Sequence, residues 1–73
     1  MRRKNRNPLQ EYLDEQRMPQ RALANRVRLS EAQISRFLNG KGGLSLRAVR
    51  RVAAVTGIGV LDLLDAVERN LNA

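Results

Sequence analysis

The chain has 73 residues, 42% hydrophobic and 3% aromatic, which fits one all-α domain with a modest core of Leu, Val, Ile and Ala and leaves no room for a second core. It holds no Cys and no His, which removes disulfides, the usual zinc ligand sets, thiol nucleophiles and the imidazole most used for proton transfer near neutrality. Its net charge of +7 is uneven: residues 1–51 hold 13 Lys/Arg against 4 Asp/Glu, an excess of 9 that calls for a polyanionic partner, while the rest hold 1 against 3.

The first residues, MRRKNR, contain four cations and no buriable side chain apart from Met1, so residues 1–7 are expected to form a basic flexible arm. Its Arg2, Arg3, Lys4 and Arg6 are candidates for following a groove of a nucleic acid. Residues 8–73 are expected to fold. Asn7-Pro8 gives a cap followed by proline at the first helical position, with Gln10 three residues after the cap, as in a capping box. Leu9, Tyr12, Leu13 and Gln16 form the inward stripe of this first helix, which ends near Arg17 because Pro19 pushes Met18 out of the α region.

A second helix is predicted at about 19–27, with Leu23, Ala24 and Val27 as its apolar face, and Arg28-Leu29-Ser30 breaks the periodicity for three residues. Ser30 caps a short third helix at about 31–38, with Gln33 at the capping-box position. Ile34, Phe37 and Leu38 point inward before Asn39-Gly40 ends it. After Lys41-Gly42-Gly43-Leu44, Ser45 caps a fourth helix whose Leu46, Val49, Val52, Ala53 and Thr56 recur at helical spacing until Gly57. A fifth helix spans about 60–70. Its Val60, Leu64, Val67 and Leu71 follow a four-three-four spacing, the seam of a helix pair, and are a possible dimer interface; Leu61 and Leu63 widen that surface.

The informative stretch is Gln20–Gly40, QRALANRVRLSEAQISRFLNG. Two helices crossing steeply over a short turn need a small residue where they meet, and Ala24 occupies that place. Leu23, Val27, Leu29, Ile34 and Phe37 lock the crossing, which leaves Glu31, Ala32, Gln33, Ser35 and Arg36 on the outer face of the third helix. A helix with such a face fits the DNA major groove and reads base edges with polar side chains near its N-terminus.

On these residues the chain resembles the lambda-repressor/Cro-like helix-turn-helix family, also called XRE-type, over about residues 9–64. The resemblance implies a five-helix DNA-binding fold in which Gln20, opening the second helix, and Asn39 with Gly40, closing the third, contact phosphate. It places Glu31, Ala32 and Arg36 on the main base-reading positions, with Gln33 a weaker candidate. Arg21, Ser35 and Lys41 complete the expected phosphate set. One position departs from the family. Gly is usual in the turn where this chain has Arg28, because the backbone turns there with positive φ, and a side chain costs ~1–2 kcal/mol in that conformation.

The expected function is a sequence-specific transcriptional regulator, a phage or bacterial repressor binding an inverted-repeat operator as a homodimer without a cofactor or metal. Two alternatives stand beside it: a DNA-binding antitoxin that also meets a toxin protein, and a basic protein-interaction module without sequence-specific DNA binding. No enzyme is expected, since Asp14, Glu15, Asp62 and Asp65 fall on helix surfaces without a partner constellation, and GKGG lacks the spacing of a phosphate-binding loop. No apolar stretch approaches the ~20 residues of a membrane span, so a cytoplasmic, nucleoid-associated protein is expected.

Overall fold

The chain folds into five helices in the computed structural model, which describes residues 6–72, and most of their starts fall at a proline, glycine, serine or asparagine signal. Helix α1 spans Pro8–Gln16, α2 Gln20–Val27, α3 Glu31–Leu38, α4 Leu46–Thr56 and α5 Val60–Leu71. No strand occurs among the described residues.

At the start of α1 the Asn7 side chain accepts from the Leu9 N–H at 2.9 Å, with Pro8 supplying no donor to satisfy. The expected capping box is not formed. Gln10 instead donates from Nε2 to Asp14 Oδ1 at 2.9 Å, an i to i+4 pair along the helix surface. Ser30 does form the full box: its Oγ accepts from the Gln33 N–H at 3.0 Å, and Gln33 Oε1 accepts from the Ser30 N–H at 3.0 Å. Ser45 Oγ caps α4 by accepting from Ala48 N–H, and Gly57 ends it at φ 79°.

The core joins all five helices. Leu9 and Leu13 from α1, Leu23, Ala24 and Val27 from α2, and Ile34 and Phe37 from α3 meet Val49, Val52, Leu63 and Ala66 from α4 and α5. Ala24 is 3% exposed, as expected of the small residue at a close crossing of α2 and α3. Two members of the expected apolar stripes point away. Gln16 is exposed, because α1 stops there and its last turn extends past the core. Leu46 is 54% exposed at the first turn of α4, where Ala48 and Val49 are the first side chains to face inward.

Candidate nucleic-acid interface

Between α2 and α3 the chain reverses through Arg28, which adopts φ 58°, ψ 42°, the left-handed conformation that the comparison with glycine at this position anticipated. The Arg28 N–H and the Leu29 N–H both donate to the Ala24 carbonyl, so the end of α2 is closed by backbone bonds and the Arg28 side chain is left exposed. With α2 closed there and Ser30 capping α3, the crossing is set from both sides of the turn.

Helix α3 buries Ile34 and Phe37 completely and presents Glu31, Ala32, Gln33 and Arg36 on an exposed face. Glu31 Oε1 lies 3.7 Å from Arg21 Nε, an exposed ion pair joining the first turns of α2 and α3. Such pairs contribute ~0.2–1 kcal/mol, so this one orients side chains more than it stabilises the fold. Glu31 is expected among the base-reading residues; in the structure its ion-pair partner is Arg21. Gln33 is engaged through its carbonyl oxygen in the Ser30 cap, which does not use its Nε2. The Arg36 guanidinium leans toward the next loop, 3.8 Å from where a side chain on Gly42 would begin.

The end of α3 is a Schellman turn. Gly40 takes φ 75°, its N–H donates to the Phe37 carbonyl at 3.2 Å, and the Lys41 N–H donates to the Arg36 carbonyl at 2.9 Å. The exposed Asn39 donates from Nδ2 to Ser35 Oγ at 3.3 Å, linking two of the expected phosphate ligands. Lys41 is exposed and Gln20 half-buried at the start of α2. Gln20 and Arg21 open α2, where orphan N–H groups and partial positive charge favour phosphate, whereas Ser35 lies within α3 and Asn39 and Lys41 follow its C-terminal end, so these three would meet phosphate through their own side chains.

Charge is segregated beyond this surface. Arg47, Arg50 and Arg51 of α4, with Leu46 and Ala54, line an open groove of about 440 Å³. Glu11, Glu15 and Asp62 line a smaller one of about 250 Å³ between α1 and the start of α5. Arg6 is paired with Asp14, so the last cation of the expected arm is tied to α1; Arg2, Arg3 and Lys4 lie outside the described residues. Among the described residues no cluster of His, Cys, Asp or Glu could hold a metal ion, and no helix is long and apolar enough to cross a membrane.

Sequence reasoning did not single out Asn70. Its Nδ2 donates to the Phe37 carbonyl at 2.9 Å and to the Gly42 carbonyl at 2.7 Å, tying α5 to the end of the third helix and the loop beyond it. A polar residue at a helix end carries no local signal for so distant a partner.

A family model described as helix-turn-helix matches residues 9–63, which contain the α2–α3 crossing, its capped turn and the outer face of α3. The chain belongs to the XRE-type, lambda-repressor-like helix-turn-helix family. Comparison with curated proteins and with solved structures gave no match. Members of the family are DNA-binding transcription regulators, and the matched residues include all of α2 and α3.

Proposed function

We propose that this helix-turn-helix protein is a repressor that binds an inverted-repeat operator as a homodimer, placing α3 in the major groove and blocking transcription by occupancy. The observation that carries the reading is the construction of α3: a short helix fixed at both ends by caps, with Glu31, Ala32 and Arg36 exposed on the face away from Ile34 and Phe37. Arg36 discriminates bases, since a guanidinium can donate two parallel hydrogen bonds to guanine O6 and N7. Glu31 and Ala32 flank the same base steps, and Gln33 retains Nε2 as a donor. Gln20, Arg21, Ser35, Asn39 and Lys41 hold phosphate and set the register. Arg2, Arg3 and Lys4 extend the electrostatic footprint.

The homodimer rests on α5. Of the seam residues, Leu64 and Val67 pack against the core while Val60 and Leu71 are exposed, the latter at 70%. Leu61, at 77%, adds to an apolar surface that a second copy would cover around a twofold axis.

The test compares Arg36→Ala with Lys41→Ala on a panel of single-base operator variants at several salt concentrations. Loss of the Arg36 contact relaxes preference at one base pair per half-site by ~1–3 kcal/mol, whereas Lys41→Ala weakens all sequences alike and lowers the salt slope by about one unit. Unchanged base preferences in Arg36→Ala would show that α3 is not oriented this way.

A further inference from the structure

We propose that Asn70 is a positioning residue for DNA binding: it holds the loop after the recognition helix in the conformation that presents Asn39 and Lys41 to phosphate. The inference rests on the DNA reading above and adds a role for α5 within it. Its starting point is a shortage of hydrogen bonds. The last carbonyls of any helix lack partners within the helix, and the loop that follows has only its own backbone to organise it.

Asn70 clamps this turn from outside the helix. One amide nitrogen bridges two carbonyls on either side of the turn, Phe37 in the last turn of α3 and Gly42 in the loop, so the four residues between them are closed from outside. The Phe37 carbonyl also accepts from the Gly40 N–H, which makes the Asn70 bond part of the Schellman turn rather than an addition beside it. Asn7, the residue that caps α1, reaches the same carbonyl from Nδ2 at 3.5 Å. Packing supports the hydrogen bonds. Gly43 lies so close to α5 that a Cβ there would sit 2.8 Å from Val67 Cγ1 and 4.0 Å from Leu71 Cδ2. The loop is therefore seated on the same face of α5, from Val67 to Leu71, that carries Asn70.

A loop fixed before binding does not have to be ordered on the DNA, so its phosphate contacts retain more of their strength. Release of the loop would leave the base-reading face of α3 in place and weaken the contacts that follow it. This separates the role of Asn70 from a general contribution to folding.

The experiment is a double-mutant cycle on operator binding, run well below the melting temperature of every variant. Asn70→Ala removes both donated bonds and should weaken binding on the order of tenfold, toward the lower end of what two net hydrogen bonds are worth, while base preferences stay those of wild type. Combined with Lys41→Ala, its effect should be clearly less than additive, because the contact that Asn70 organises is already gone. Gly43→Ala, which pushes the loop from Val67 without touching the amide, should give the same pattern. Val52→Ala, a core change remote from the loop, lowers melting temperature but should leave affinity within about twofold. Amide exchange without DNA gives a second readout: Asn70→Ala should speed exchange at Gly40 and Lys41 and leave α2 unchanged. Wild-type affinity in Asn70→Ala, or full additivity with Lys41→Ala, would overturn this role while leaving the DNA reading intact. A wild-type protein that binds no duplex would overturn both.

Discussion

Arg28 offers a test of backbone strain, because its φ of 58° is imposed by the turn and its side chain is exposed, so substitution there changes conformation more than packing. Ala and Gly at this position differ by one Cβ. Removing that atom relieves ~1–2 kcal/mol of left-handed strain. It also adds unfolded-chain entropy of roughly 0.5–1 kcal/mol. The net advantage of Arg28→Gly over Arg28→Ala then centres on ~0.75 kcal/mol, which for a domain of this size is roughly 3–6 °C in melting temperature. Asn tolerates the left-handed region better than most residues and should fall between them, while Val, branched at Cβ, should fall below Ala. The assay is thermal unfolding by circular dichroism for the four variants. A melting temperature for Arg28→Gly at or below that of Arg28→Ala would refute the reasoning, and a Val variant equal to Ala would do so independently.

Ser30→Ala removes the hydroxyl that caps α3 and should cost ~0.5–2 kcal/mol, seen as a lower denaturant midpoint with an unchanged slope. Phe37, wholly buried where α3 meets the core, should cost ~3–5 kcal/mol on truncation to Ala, enough to leave so small a domain substantially unfolded by circular dichroism at room temperature. Leu61→Asp puts a charge on the exposed face of α5 and should shift sedimentation from dimer to monomer with the melting temperature of the isolated subunit preserved; wild-type protein that sediments as a monomer at operator-binding concentrations would dispose of this interface.

What the sequence reveals is governed by how local each cause is. The limits of α2 and α3 are legible because Pro19, Ser30 and Asn39-Gly40 act within a few residues of the boundaries they set. The strained turn is legible only through the family resemblance, in which glycine is usual where this chain has Arg28, and its φ is positive; the equally left-handed Arg17 carries no such signal. Gln10 satisfies the capping-box spacing as well as Gln33 does, yet it bonds Asp14, which also receives Arg6. Spacing alone does not decide between a backbone donor, the Asn7 N–H, and a side-chain acceptor, the Asp14 carboxylate. Leu46 fits the helical period of α4 but lies outside the core, since periodicity gives a direction around the helix and not how far the core extends along it. Asn70 is invisible for a different reason, because its partners lie 28 and 33 residues away and depend on the fold being complete.

The two ends of α3 are held by residues other than those on its exposed face: Ser30 with Gln33 at one end, Gly40 with Asn70 at the other. Glu31, Ala32 and Arg36 are therefore relieved of structural duty, and exchanging them leaves the caps and the buried pair of Ile34 and Phe37 intact. Gln33 is the exception, since altering it to read a different base would also loosen the start of the helix. On the proposed reading, divergence toward new operators is cheapest at these three positions, and a library randomised at Glu31, Ala32 and Arg36 with Gln33 fixed should yield mostly folded proteins of altered preference.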